Sequence, residues 1–196
     1  MTTVEDINQA VHLGVDAIGL IFYSKSPRYI TIDSARELLK TLPPFMSAVG
    51  VFVDADNALV EDAIESLPLT HCQFHGGETE EHCAQFNFPY IKAVRVKSQQ
   101  DIIEASVKYP SAKALLLDTY VRGVKGGTGL AFDWSIIPDN VPQSLILAGG
   151  IDCSNIREAM TTSCYAVDVC SGVEESPGTK SKEKMQQLVK QMWSNA

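Results

Sequence analysis

Short apolar runs alternate along this chain with stretches whose apolar residues recur every three or four positions. Near-continuous apolar runs predict strands buried on both faces, and the longer period predicts amphipathic helices. The predicted strands are Ala17–Tyr23, Ser47–Val53, Thr70–His75, Tyr90–Val96, Ala112–Asp118, Ser144–Ala148 and Tyr165–Cys170. The predicted helices are Val4–Leu13, Asp33–Leu42, Ala58–Leu67, Glu80–Phe86, Gln99–Tyr109, Trp134–Ile137, Asn155–Thr162 and Ser181–Trp193.

The regular order of these elements narrows the fold to two α/β architectures, a doubly wound sheet and an eight-stranded barrel. The doubly wound fold calls for G-x-G-x-x-G after the first strand, and nothing there resembles it. The segment Gly126-Gly127-Thr128-Gly129 lacks the Gly-Lys-Ser/Thr ending of a P-loop. We therefore predict a (β/α)8 TIM barrel forming one domain over residues 1–196. Because the leading helix has no strand before it, only seven strands are visible and the first barrel strand is expected to be absent from this chain.

Composition and charge exclude several classes of partner. The net charge of −8 argues against nucleic-acid binding, and no apolar run approaches the length of a membrane span. The five cysteines are odd in number and lack CxxC spacing, which is typical of reduced thiols in a cytoplasmic protein. No cluster of His, Asp and Glu has metal-ligand spacing, so we predict no metal.

Two glycine-bearing strand ends near the C-terminus indicate a phosphate site. Gly149 and Gly150 follow the sixth visible strand, and Ser171 and Gly172 follow the seventh. In a (β/α)8 barrel the loops after the last two strands hold phosphate against backbone N–H groups. Backbone amides bind an anion without a net positive chain, so a small phosphorylated molecule is the predicted ligand.

Other polar residues lie where strands end, and each has two interpretations. Asp118 closes an apolar run and is either a general acid or base or a cap of the following loop. Arg28 is suited to a carboxylate or phosphate, or belongs to a solvated basic loop. Gln73 and His75 share one side of a strand, and either could contact substrate, or His75 is a hydrogen-bonded structural histidine. The glycine-rich stretch Thr119–Ala131 is an active-site flap or an ordinary surface loop.

Several sequence blocks occur in an order that resembles the phosphoribosylanthranilate isomerase family of tryptophan biosynthesis, and the similarity spans essentially the whole chain. The blocks are Gly19-Leu20-Ile21-Phe22-Tyr23, Ser26-Pro27-Arg28-Tyr29-Ile30, Val49-Gly50-Val51-Phe52-Val53, Gln73-Phe74-His75-Gly76, Leu116-Leu117-Asp118, Gly126-Gly127-Thr128-Gly129 with Phe132-Asp133-Trp134, Leu147-Ala148-Gly149-Gly150 and Val167-Asp168-Val169-Cys170-Ser171-Gly172-Val173-Glu174. Each block alone is weak, but eight in order are highly specific.

The resemblance implies an Amadori rearrangement of a phosphoribosyl anthranilate without any cofactor. It implies that Asp118 is the general acid and that Arg28 pairs with the anthranilate carboxylate. It also implies that Gly149, Gly150, Ser171 and Gly172 hold the phosphate.

The chain departs from the family at its start. The family opens with a strand ending in Lys-Ile-Cys-Gly, whose cysteine is the general base, and this chain begins with Met1-Thr2-Thr3. None of the five cysteines matches that position. Met1 is either an internal methionine of a longer protein, which we favour, or the start of a truncated chain. Without the strand, two barrel edges are expected to stay gapped, to be filled, or to pair with a second molecule.

Three functions are consistent with these features. The first is a phosphoribosylanthranilate isomerase whose activity is impaired as the chain stands, because the base is missing. The second is a non-catalytic barrel that binds a phosphorylated ligand. The third is a related isomerase of histidine biosynthesis, but the two-fold internal similarity usual in that group is not found.

Overall fold

Strands and helices alternate along the chain, as the apolar pattern predicts. The computed structural model describes residues 1–119 and 133–193. The strands are β1 (Ala17–Ile21), β2 (Ser47–Phe52), β3 (His71–Phe74), β4 (Tyr90–Val96), β5 (Ala114–Thr119), β6 (Ser144–Leu147), β7 (Ala166–Val167), β8 (Glu174–Ser176) and β9 (Thr179–Lys180). The α-helices are α1 (Val4–His12), α2 (Ile32–Leu39), α3 (Asn57–Ser66), α4 (Glu80–Ala84), α5 (Gln99–Lys108), α6 (Ile156–Ala159) and α7 (Lys182–Trp193), with short 3₁₀ helices at Trp134–Ile136 and Ser171–Val173.

Two compact units divide the described residues. The first contains residues 1–90 and 175–182, and the second contains residues 91–119, 133–174 and 183–193. Within residues 1–119 and 133–193, no helix is long and apolar enough to cross a membrane.

Parallel strands β1, β2 and β3 form the centre of the first unit. Ala17 pairs with Ser47 and Val49 pairs with His71 at the start of the two ladders. Phenylalanines bind the three strands together on one side: the Phe22 and Phe52 rings stack at 5.4 Å, and Phe52 lies 6.0 Å from Phe74. Each of these rings is at most 3% exposed. Because the strands are parallel, their carboxyl ends meet at one edge of this sheet.

Parallel strands β4, β5, β6 and β7 form the centre of the second unit. Four leucines on one face of β5 and β6 are 0–5% exposed, which fixes the register of these strands by burial: Leu115, Leu117, Leu145 and Leu147. The opposite face of β5 therefore carries Asp118 at its carboxyl end.

The outer edge of β1 is partly covered by the chain itself. The Met1 ammonium donates to the Gly19 carbonyl at 2.6 Å, and the Ile30 N–H donates to the Ile21 carbonyl at 3.1 Å. Phe22 donates to Val51 on the other side, so these two contacts lie on the edge that faces away from β2. Two of the backbone carbonyls that would otherwise attract a further strand are thus already bonded.

Local signals explain most helix starts, and two predicted elements are shorter than expected. Thr31 caps α2 by accepting the Ser34 N–H at 3.1 Å. Strand β7 has only two residues because its ladder to β6 contains only the pairs at Ala166 and Val167. Helix α6 likewise ends at Ala159, before the predicted Thr162. The hairpin of β8 and β9 was not predicted; its turn contains Gly178, whose φ of +91° favours glycine.

Candidate active site

Asp118 lies near the carboxyl end of β5, where its side chain is 5% exposed. One carboxylate oxygen, Oδ1, accepts the N–H of Thr119 at 2.9 Å. This bond fixes the direction of the carboxyl group. A buried, oriented carboxyl group at a strand end is the arrangement that proton transfer to a ligand requires.

Gly149, directly after β6, packs against this carboxyl group. Its φ is +77°, and a Cβ built on it would lie 2.7 Å from Asp118 Oδ1 and 2.4 Å from Thr119 Oγ1. Any side chain at this position would therefore collide with the acid and its neighbour. Because Gly149 has no side chain, the loop after β6 can pack directly against Asp118 on β5.

The loops after β6 and β7 also touch each other. A Cβ on Gly172 would lie 2.0 Å from the Ile151 carbonyl oxygen and 2.8 Å from the Asp152 Cβ. Only glycine permits this close backbone approach. Gly150, in the loop after β6, has a φ of +71°, a conformation that favours glycine.

Four backbone N–H groups of these loops have no hydrogen-bond acceptor among the described residues. Within residues 1–119 and 133–193, the N–H groups of Gly149, Gly150, Ser171 and Gly172 donate no hydrogen bond. Several such N–H groups in two touching loops form the kind of concavity that binds an oxyanion. All four lie in the unit that contains Asp118.

Asn155 holds the loop after β6 in shape, and the sequence analysis missed it. Its side chain donates to the Gly150 carbonyl at 2.9 Å and accepts the Asp152 N–H at 2.9 Å. An asparagine before a short helix was read as a helix residue. Asn155 fixes the shape of the loop through its bond to Gly150, five residues earlier in the chain. The five-residue spacing between the glycine and the asparagine is the only sequence signal for this role.

Arg28 lies in the loop after β1 and is partly buried. Its N–H donates to Ser26 Oγ at 3.1 Å, and Tyr29 bridges to Ile21. The Gly178 turn lies against this loop, because a Cβ there would approach the Pro27 carbonyl oxygen to 2.8 Å. The hairpin that was not predicted therefore supports the loop that carries the arginine.

Gln73 and His75 contact each other at the end of β3. Gln73 Nε2 lies 3.0 Å from His75 Nδ1, and Gln73 is 8% exposed. The shared face expected from alternation is thus observed, and the histidine ring is held by the glutamine. They lie in the first unit with Arg28.

A carboxylate that the sequence analysis did not single out organises the loops after β2 and β3. Glu78 is 7% exposed and accepts the N–H of Asp54 at 2.8 Å and that of Gly76 at 2.9 Å. Asp54 in turn accepts the Gly77 N–H at 2.6 Å. Asp54 has a φ of +48°, which an isolated turn would not favour. The carboxylates of Glu78 and Asp54 therefore accept the backbone N–H groups that hold the loop after His75 in place.

Three of the five cysteines have thiols whose pKa is raised. Burial, followed by the neighbouring Cys83, raises the pKa of Cys72 to about 12. Burial also raises the pKa of Cys153 and of Cys164. Such shifts disfavour the thiolate that base chemistry needs. The predicted flap falls mainly on residues 120–132, which lie outside the described residues.

Comparison with known proteins identifies the family. The family profile described as N-(5'phosphoribosyl)anthranilate (PRA) isomerase matches residues 1–191. The N-(5'-phosphoribosyl)anthranilate isomerase of Legionella pneumophila strain Paris is 49% identical over 195 residues, covering 98% of this chain and 94% of its own length. The enzyme of the same name from Pseudomonas syringae pv. tomato is 47% identical over 186 residues, covering 94% of this chain and 90% of its own length.

Solved structures give the same result for the fold. The phosphoribosyl anthranilate isomerase of Thermotoga maritima is 35% identical, with a TM-score of 0.86 over 97% of this chain and 94% of that chain. A phosphoribosyl anthranilate isomerase in complex with reduced 1-(o-carboxyphenylamino)-1-deoxyribulose 5-phosphate is 33% identical, with a TM-score of 0.82 over 97% of this chain and 94% of that chain. The predicted α/β barrel class with seven visible strands is confirmed. The chain belongs to the N-(5'-phosphoribosyl)anthranilate isomerase family, whose members are enzymes of tryptophan biosynthesis.

Proposed function

We propose that this chain converts N-(5'-phosphoribosyl)anthranilate into 1-(2-carboxyphenylamino)-1-deoxyribulose 5-phosphate without a cofactor. The reaction is an intramolecular aldose–ketose isomerisation, in which C1' is reduced as C2' is oxidised. No external electron acceptor is needed, because the two changes occur within one molecule.

Asp118 is the proposed general acid. In its protonated form it donates a proton to the ribose ring oxygen while the bond between that oxygen and C1' breaks. The product of this step is an open-chain Schiff base. A base then removes the C2' proton, and the enolamine tautomerises to the aminoketose. The observation that carries this assignment is the position of Gly149. It lies against Asp118 Oδ1, and it is the first residue of the loop proposed to hold the phosphate.

The remaining roles are assigned as follows. Gly149, Gly150, Ser171 and Gly172 bind the phosphate through their N–H groups, for which the described residues offer no other acceptor. Arg28 binds the anthranilate carboxylate. Gln73 and His75 contact the substrate as a coupled pair, since their side chains bond to each other.

An Asp118→Asn variant tests the acid. The assay uses the chain extended upstream by a strand ending in Lys-Ile-Cys-Gly, so that acid and base are both present. Loss of a general acid is expected to lower kcat by about 10²–10⁴-fold. Affinity for the reduced product analogue should change little, since the amide keeps the shape of the carboxyl group. Asp139→Asn, in an exposed loop of the same unit, is the matched control.

The 196-residue chain itself is expected to turn over slowly. None of its five cysteines matches the family's base, and burial disfavours the thiolate of Cys72 and Cys164. Steady-state measurements of kcat for this chain and for the extended form test the expectation of slow turnover. Equal kcat values for the two forms would contradict it.

A non-catalytic phosphate-binding barrel is the alternative. It predicts that the product analogue binds, that the extended form shows no turnover, and that Asp118→Asn has no measurable consequence for function. A competent extended form whose activity depends on Asp118 would exclude it.

Three further properties are proposed from the composition and from the strand edges. Reduced cysteines and acidic composition favour the cytoplasm. One cooperative unfolding transition is expected if residues 1–196 form a single domain. Self-association through unpaired strand edges is also proposed, although Met1 and Ile30 already bond two carbonyls of β1. Light scattering across a concentration series tests it.

A further inference from the structure

Arg95 lies beside the proposed acid, on the neighbouring strand. The register of β4 and β5 pairs Arg95 with Asp118 and Val96 with Thr119. Paired residues of adjacent parallel strands project from the same face of a sheet. The guanidinium and the carboxyl group therefore leave the sheet side by side, near the carboxyl ends of their strands.

This arginine is partly buried and has no protein partner in the part of the chain that the structure describes. Within residues 1–119 and 133–193, it forms no hydrogen bond or ion pair. The other cation of the same strand contrasts with it: Lys92 faces the opposite side, where its amine lies 3.3 Å from the Ala93 carbonyl oxygen and 5.6 Å from the centre of the Tyr109 ring. A half-buried guanidinium with five unused donors is suited to an incoming oxyanion.

The order of the strands suggests which oxyanion Arg95 meets. Strand β4 carries Arg95, β5 carries Asp118, and the proposed phosphate loops follow β6 and β7. Neighbouring strands lie about 4.8 Å apart, so these three groups are spread over one side of the sheet in that order. The proposed substrate has the same order: phosphate, ribose ring oxygen, then the anthranilate carboxylate.

We propose that Arg95 binds the carboxylate of the anthranilate group and so acts as a specificity residue. With the phosphate at the loops after β6 and β7 and the ring oxygen at Asp118, the far end of the substrate lies over β4. This inference rests on the proposed function. A guanidinium binds a carboxylate through two parallel N–H bonds, which distinguishes the natural substrate from a neutral aryl analogue.

A pair of ligands tests the assignment by binding alone. One is reduced 1-(2-carboxyphenylamino)-1-deoxyribulose 5-phosphate, and the other is the same compound with a phenylamino group that lacks the carboxylate. Calorimetry gives Kd of both for the 196-residue chain and for Arg95→Gln, Arg95→Lys and Arg157→Gln. Arg157 is exposed on α6 and serves as the control for removing one arginine.

Arg95→Gln is expected to weaken the carboxylated ligand by about 10- to 100-fold, which is the usual worth of a charged hydrogen-bonded contact. Its affinity for the neutral ligand should stay nearly unchanged. Arg95→Lys should retain part of the preference for the carboxylated ligand, because lysine keeps the positive charge but lacks the planar guanidinium that donates two parallel hydrogen bonds. Arg157→Gln should retain all of it.

Two results would overturn the inference while leaving the proposed function intact. One is an unchanged preference for the carboxylated ligand in Arg95→Gln. The other is an equal loss for both ligands, which would indicate a contact with the phosphate or a structural role. If the unaltered chain binds neither ligand, the proposed function fails and this inference fails with it. Because each variant is judged by the ratio of two ligands, a general loss of folded protein cannot imitate the expected result.

Discussion

Replacing Gly149 by alanine gives the sharpest perturbation of the site. The new Cβ would lie 2.4 Å from Thr119 Oγ1 and 2.7 Å from Asp118 Oδ1, where ordinary contacts begin at 3.4 Å. Asp118 or the glycine loop must therefore move by roughly 1 Å, a misplacement that can cost about 10²-fold in rate. Backbone strain at positive φ adds about 1–2 kcal/mol, and overpacking adds about 1–3 kcal/mol. We expect unfolding to become easier by about 2–5 kcal/mol in total.

Gly14 supplies the matched control for this variant. Its φ is +72°, but a Cβ there would meet no atom within 4 Å. Gly14→Ala should therefore lose only the strain of about 1–2 kcal/mol and keep its activity. Urea unfolding measures the free energy, and kcat/KM of the extended form measures the site. The reasoning is refuted if the two alanine variants lose equal stability and both retain full kcat/KM.

Three further predictions concern loops and the core. Gly172→Ala should abolish binding of inorganic phosphate in calorimetry, because its Cβ would lie 2.0 Å from the Ile151 carbonyl oxygen; retained binding would contradict the proposed cradle. Glu78→Gln should lower the free energy of unfolding by about 1–3 kcal/mol, since the loops after β2 and β3 lose charged acceptors, whereas Glu61→Gln on exposed α3 should not. Because the Cys72 pKa rises from 9.0 to about 12 on folding, the unfolded chain loses this proton first. The Cys72 contribution to stability should then fall by about 1.4 kcal/mol per pH unit above 9, and Cys72→Ala should lessen the loss of stability between urea titrations at pH 8 and 10 by about that amount.

Local patterns predicted the frame of the molecule, and long-range contacts explain what was missed. The leucines before Asp118 identify β5 because a strand buried on both faces needs a continuous apolar run. Gly149 and Gly150 likewise stand out as glycines after a strand. Glu78 did not stand out, because its importance comes from Asp54, 24 residues earlier in the chain. No local pattern contains that spacing.

Register is a second reason why sequence reasoning stopped short. Arg95 was not singled out from the sequence, because its relation to Asp118 depends on how β4 and β5 align. The extent of β7 depends in the same way on its ladder with β6. Pairing decides both features, and pairing partners lie far apart in the sequence.

The contact of the Met1 ammonium with the Gly19 carbonyl has a practical consequence for anyone who expresses this polypeptide. A fusion partner joined at Met1 turns a charged donor into a neutral amide and directs the added residues along the outer edge of β1. A purification tag joined there would begin within hydrogen-bonding distance of the Gly19 carbonyl. Affinity handles are therefore better placed after Trp193, whose side chain is 64% exposed.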